Sequence, residues 1–238
     1  MTNWKKVNYL RKGETLEYEH ELVLPEPLAN WDVWDYWERE RTNSLQEHLT
    51  KDDVIYDVGA EHGWLSVVLG RFCNVFLIEP TREFWPNIKQ TWEANLDTKP
   101  AGYFCGLVGD KGGRKKINYS DWPTEVSREL IDKLKYVYLH DNSENLPVKT
   151  IDQIVKESGI TPTALNIDVE GAELYALRGS SAILANGNVK VWVSIHQDLM
   201  GRYGHVRSDI FNFMESMGYD YELLGVDHEE HVYFYAKS

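Results

Sequence analysis

The sequence predicts an α/β protein with a doubly wound, mostly parallel sheet of seven strands. Three observations predict it. From Asp53 onward, short apolar runs alternate with segments of helical length, the signature of βαβ units. The early runs end in an acid or a glycine turn, as strands do when their carboxyl ends face a ligand cleft. The chain closes on two β-rich runs, Tyr219–Leu224 and His231–Ala236, joined by a short acidic loop that reads as an antiparallel hairpin.

Each element follows in order. Residues 7–24 alternate polar and apolar around Lys12-Gly13, so they read as an N-terminal hairpin. Leu22–Leu28 carries Pro25 and Pro27 and reads as a connector that cannot be helix. After Asn30 a helix is expected from Trp31 to about Leu49. Trp31, Trp34, Trp37, Leu45 and Leu49 share one face, suited to packing on the main domain or to offering an aromatic wall to a substrate. Val54–Tyr56 is the first strand, ending at Asp57-Val58-Gly59, and Gly63–Phe72 the helix after it. Val75–Ile78 is the second strand, ending at Glu79. Thr81–Asn95 is a helix with Pro86 in its first turns, and Tyr103–Val108 the third strand. Residues 109–150 are less regular. Gly109–Gly113 is a turn, Lys116–Tyr119 a candidate strand and Thr124–Leu134 a candidate helix. Regular alternation resumes with strand Thr163–Ile167, helix Glu170–Leu184 stopped by Asn186-Gly187, strand Val189–Ile195, and helix His205–Met217 closed by Gly218.

Composition narrows the function classes. The chain has 238 residues, 42% hydrophobic and 26% charged, as folded globular proteins do. No apolar run is long enough to span a bilayer, and the N-terminus lacks the apolar core of a secretory signal. Cys73 and Cys105 cannot build a disulfide framework, so a reducing cytoplasm is the expected home. A net charge of −13 argues against nucleic acid as a partner. Nine Trp and 14 Tyr supply aromatic surface for packing or stacking on a ligand.

The chemistry is expected at the strand ends, where open parallel sheets bind ligands. That rim holds Asp57, Gly59, Ala60, Glu61 and Gly63 after the first strand, Glu79 after the second and Asp110 after the third. Asp168, Glu170 and Glu173 follow the fourth, and His196 and Asp198 the fifth. Carboxylates suit a cationic ligand or one rich in hydroxyls. The glycine turn selects among cofactors. A dinucleotide fingerprint would require glycine where Glu61 and Trp64 stand, and Glu61 would repel a pyrophosphate. S-adenosylmethionine fits better: Asp57 faces a sulfonium or amino group, Gly59 and Gly63 give a close backbone, and Glu79 takes the ribose hydroxyls. A side chain at Gly59 is then expected to block binding and leave the fold intact. Asp168 ends a buried apolar strand, where a carboxylate is costly without a cleft or a partner. His196 ends the next strand, so either of the two can serve as a base. No compact motif marks a metal site. Asp168, Glu170 and His196 are the groups a divalent ion would use.

DVGAEHG, LIEP, VKTIDQI, LNIDVEGAELYALRG and VWVSIH, in that order, resemble the FkbM-type methyltransferases over residues 53–236. The resemblance implies a class I, Rossmann-like O-methyltransferase domain at 51–238, with residues 1–50 appended. It implies that Asp57, Gly59, Gly63 and Glu79 hold S-adenosylmethionine and that Asp168 lies near the transferred methyl. It further implies a small-molecule or glycan hydroxyl as acceptor, with sugars favoured. Two positions depart from the family: Asn166 stands where Lys is frequent, and Ser194 where Glu is frequent. The alternatives are a nicotinamide-dependent oxidoreductase or epimerase and an inactive methyltransferase-fold interaction module. The first lacks the Tyr-x-x-x-Lys pair expected after the third strand.

Overall fold

The computed structural model describes residues 3–9, 20–34, 36–123, 137–140 and 146–237. The N-terminal hairpin pairs β1 (Trp4–Tyr9) with β2 (His20–Pro25). Short α1 (Glu26–Ala29) and then α2 (Arg39–His48) lead into the βα core. The core runs β3 (Val54–Val58), α3 (Trp64–Gly70), β4 (Asn74–Ile78), α4 (Trp85–Asn95) and β5 (Gly102–Phe104). After β6 (Leu107–Val108) and β7 (Val148–Lys149) come α5 (Ile151–Ser158), β8 (Ala164–Ile167), α6 (Glu173–Arg178) and α7 (Ser181–Leu184). The chain finishes with β9 (Lys190–Ile195), α8 (Gln197–Met200), α9 (Arg207–Ser216), β10 (Tyr219–Val226) and β11 (Glu230–Ala236).

The main sheet has seven strands in the order β10-β11-β9-β8-β3-β4-β5. Five of them, β9 to β5, are parallel, and β11 joins antiparallel between β10 and β9. The chain builds outward from β3 toward β5, then returns to lay β8 on the other side of β3. The switch point therefore lies between the carboxyl ends of β3 and β8, where such sheets open a crevice. Side chains alternate across the sheet as the pleat requires. Val75 and Leu77 face one buried layer, with α3, α4 and the N-terminal hairpin; Phe76 and Ile78 face the other, with α5, α6 and α9.

Several elements differ from the sequence reading. Pro25 ends β2, and Pro27 opens α1, where a missing N–H costs nothing. The helix expected from Trp31 begins only at Arg39. Ahead of it lie turns, because Asp227 captures the backbone N–H of Glu38 at 2.8 Å and Glu38 takes a φ of 52°. The Trp residues form a cluster, not a helical stripe. Trp31 stacks on Trp34 (6.4 Å between centroids), and Trp34 and Trp37 both meet Trp64. Trp34, Leu45 and Leu49 are buried, so packing on the core accounts for that part of the segment. The third strand splits after Phe104, and Leu107–Val108 leave the sheet to pair in parallel with Val148–Lys149. Lys116–Tyr119 form no strand, and Thr124–Leu134 lie outside the described residues. The helix expected over Glu170–Leu184 is two short ones. Positive φ at Glu170 and Gly171 delays the start to Glu173, and the Asp152 carboxylate accepts the N–H groups of Ala182 and Ile183 to open α7. Helix α5 carries a capping box between Thr150 and Gln153 that the sequence reading missed.

The hairpin is fastened to the core by Asn95, whose side chain both accepts from and donates to the backbone of Val23 at 2.8 Å. Helix α2 packs against β10 and β11. Among the described residues no helix is long and apolar enough to cross a membrane. Cys73 and Cys105 are free.

Candidate active site

The turn after β3 is pinned to its neighbours by backbone bonds. The N–H groups of Gly59 and Ala60 donate to Ile78 O at 2.9 and 3.0 Å. Gly59 has a φ of +94°, and a Cβ there would sit 1.7 Å from the carbonyl oxygen of Asp168. The expectation that a side chain here would only block a ligand is thereby corrected: β8 approaches so closely that Gly59 is required by the fold. Gly59→Val should cost several kcal/mol or prevent folding outright, as overpacking against fixed backbone does. A soluble variant with an unchanged melting temperature would contradict this.

Asp57 is also not at the cavity. It is buried beneath the turn, accepting from Asn166 Nδ2 at 2.8 Å and from Ser66 Oγ. Asn166, one of the two departures from the family pattern, thus serves as an internal partner of Asp57. Ala60, Gly63 and Asp110 are likewise absent from the cavity wall, with Gly63 acting as the left-handed residue ahead of α3.

The remaining candidates converge. Gly59, Glu61, Glu79, Asp168, Glu170, His196 and Asp198 all line one cavity of about 350 Å³ at the switch point. Glu79 is buried, and burial pushes its carboxyl up to about 7. Its two oxygens accept the backbone N–H groups of Glu61 (3.0 Å) and Thr81 (2.6 Å). Glu61 and Glu170 hold left-handed backbone on the cavity rim, as Glu38 does. Burial also raises the carboxyl of Glu170.

Asp168 sits inside a network that the sequence reading saw only in part. Arg41, from α2, is 1% exposed. Its guanidinium donates to Asp168 Oδ2 at 3.0 Å, to Ser194 Oγ and to Glu38 Oε2. Burial alone would lower its basicity, but the carboxylates of Glu38 and Asp168 overcome that and hold it protonated. Ser194, the second departure from the family pattern, thus serves as an acceptor for this arginine. Across the cavity floor, His196 Nδ1 bonds Glu173 Oε1 at 2.8 Å and its Nε2 meets Glu229. Asp168 Oδ1 lies 3.6 Å from the same Nε2. Burial works against an imidazolium, yet the Glu173 and Glu229 carboxylates win and raise His196 to about 12. The surrounding carboxylates therefore favour the protonated imidazole of His196.

Glu38, Arg41, His228 and Glu229 were missed by sequence reasoning. The clue for Arg41 was a charge four residues before Leu45, on the buried face of an amphipathic pattern. Glu229 lay in the acidic loop read only as a hairpin turn. It belongs to two groups of potential ligand atoms, each within 4.8 Å: Asp168–His196–Glu229 and Glu38–His228–Glu229. Glu170, named beforehand as a potential ligand, is in neither.

The methyltransferase FkbM domain model matches residues 57–221. The chain belongs to this FkbM methyltransferase family. It is 25% identical over 170 residues to the hexuronic acid methyltransferase AglP of Haloferax volcanii, covering 70% of the present chain. It is similar in fold to the FkbM methyltransferase of Methylobacillus flagellatus, with a TM-score of 0.52, 20% identity and 79% of this chain covered. The chain spans 66% of the length of the first relative and 44% of the second. The FkbM match favours methyl transfer over nicotinamide chemistry. It begins beyond Arg41, whose guanidinium nonetheless bonds Asp168 inside the matched segment.

Proposed function

We propose that this FkbM domain is an S-adenosylmethionine-dependent O-methyltransferase acting on a sugar hydroxyl, working in a reducing cytoplasm. The observation that carries the reading is Asp168, a 22% exposed carboxylate fixed by Arg41 beside a carboxylate-rich cavity at the switch point. The cavity's size lies in the usual range for small ligands, roughly 300–1,000 Å³. The residues present fit the cofactor. The acid-lined wall suits a sulfonium and an amine, and Glu79 stands at the end of β4 where a ribose would lie.

S-adenosylmethionine, when bound, supplies an electrophilic methyl group. The chain's own residues do the rest. Glu79 would accept from the ribose hydroxyls, and Gly59, without a side chain, would leave the cavity wall open to the cofactor. Arg41 occupies Asp168 Oδ2, leaving Oδ1 to accept the proton of the attacking hydroxyl. His196, held by Glu173 and Glu229, balances the charge of Asp168 and keeps its orientation. Glu170 and Asp198 orient the acceptor. Much of the rate comes from holding the nucleophile in line and close. The sugar class rests on the relative's activity on a hexuronic acid and on Trp31 and Trp37 in the cavity wall, whose rings suit the C–H face of a pyranose.

Glu79→Ala should lower affinity for S-adenosylmethionine at least tenfold by calorimetry, since charge-assisted hydrogen bonds are worth about 1.5–3 kcal/mol. Because an ionised Glu79 accepts both hydroxyls, wild-type affinity should rise as pH climbs through about 7. Unchanged binding in a folded variant would remove the ribose assignment. Transfer of labelled methyl to members of a carbohydrate panel tests the acceptor class, and turnover of non-sugar hydroxyls alone would refute it.

A further inference from the structure

A second cavity, of about 380 Å³, opens on the outer side of the tryptophan cluster. Its wall is formed by Lys6 and Asn8 of β1 and by Trp31, Asp32, Trp34 and Tyr36 of the turns that precede α2. Trp31 lines both this cavity and the candidate active site, so the two adjoin at one indole. Trp31 and Trp34 lie nearly parallel, with planes 10° apart. Tyr36 is 57% exposed at the rim, far from the usual place of a ring that serves only the core. The Trp34 ring is 7% exposed, and its indole N–H is buried with no hydrogen-bond partner.

We infer that this cavity is a second sugar subsite, holding the residue next to the one methylated in an oligosaccharide acceptor. The inference rests on the proposed sugar acceptor and extends it from a single ring to a chain. The chemistry matches. Aromatic rings offer apolar faces to sugar C–H surfaces, while Lys6, Asn8 and Asp32 offer donors and acceptors to hydroxyls. Lys6 already pairs with Glu21 at 2.7 Å, so the Asp32 carboxylate sets the charge of the wall, which favours a neutral sugar over an anionic one. A ligand that spans both cavities gains the second contact intramolecularly, at high effective concentration.

The test uses the full chain with S-adenosylmethionine and an array of mono- to tetrasaccharides. Binding is followed by tryptophan fluorescence and methylation by label transfer. Oligosaccharides should be used at least tenfold more efficiently than the matching monosaccharides. Tyr36→Ala and Asn8→Ala, both at exposed positions, should each shrink that ratio toward one through KM, not kcat. A length preference that survives both variants, or none in the wild type while monosaccharides are methylated, overturns the second subsite alone. If no saccharide of any length is bound or methylated while S-adenosylmethionine still binds, the sugar reading itself fails and the subsite with it.

Discussion

Asp168→Asn is expected to lower the maximal rate of methyl transfer by roughly 10²–10⁴ with little change in S-adenosylmethionine affinity. The substitution keeps the shape of the side chain and an oxygen that Arg41 can reach, but removes the proton-accepting anion. Calorimetry separates the two quantities: cofactor affinity should stay within a few-fold of wild type while single-turnover rates collapse. The pH profile offers a second check. At saturating S-adenosylmethionine, where the titration of Glu79 drops out, the raised His196 should leave no limb in the maximal rate near 6.5, the ordinary value for an imidazole. A limb there that disappears in His196→Gln would make the histidine the base after all. Activity abolished by a chelator and restored by magnesium would instead point to an ion held by Asp168 and Glu229 that activates the hydroxyl directly. Full activity in Asp168→Asn would leave the cluster a purely structural one.

Arg41→Met is expected to destabilise the fold by about 3–5 kcal/mol, the range for removing one partner of a buried ion pair. The methionine fills most of the space. What is lost is the positive charge that sits among Glu38, Asp168 and Glu229, and the donors taken by Ser194 and Asp168. Denaturant unfolding of the two proteins measures the difference. Adding Glu38→Gln to Arg41→Met should recover part of it, because one of the uncompensated charges is then gone. A loss below about 1 kcal/mol would mean that the pair behaves like an exposed one.

The core was legible because its signals are local. β3, β4, β8 and β9 are mainly apolar runs with both faces covered, and the antiparallel finish is written in two β-rich runs. Gly59, Glu79, Asp168 and His196 could be placed because strand ends in such a sheet share one edge. What escaped depended on distant partners. The spacing of Trp31, Trp34 and Trp37 fits a helix, but the N–H of Glu38 is captured by Asp227 from the other end of the chain. Asp57 has the position of a cofactor ligand, and only the contacts of Ser66 and Asn166 reveal that it is already satisfied. Arg41 and Glu229 meet at Asp168 and His196 from opposite termini, a convergence no spacing encodes. The boundary drawn at residue 50 follows a change of pattern. Arg41 crosses it, and we propose that residues 1–50 are part of the working unit.

Among the described residues, the non-glycine positions with left-handed backbone are Glu38, Glu61 and Glu170, and all three stand on the wall of the cavity. Such conformations cost about 1–3 kcal/mol each and persist only where the surroundings over-determine them. The site perimeter therefore stores strain that the two buried layers of the sheet must offset. Glycine would relax these corners, but it would also widen the range of shapes open to them and withdraw a carboxylate from the wall. The chain keeps its charged rim at the cost of a stiff, loaded frame, so the margin by which the protein stays folded is partly spent on keeping the cavity in shape before any ligand arrives.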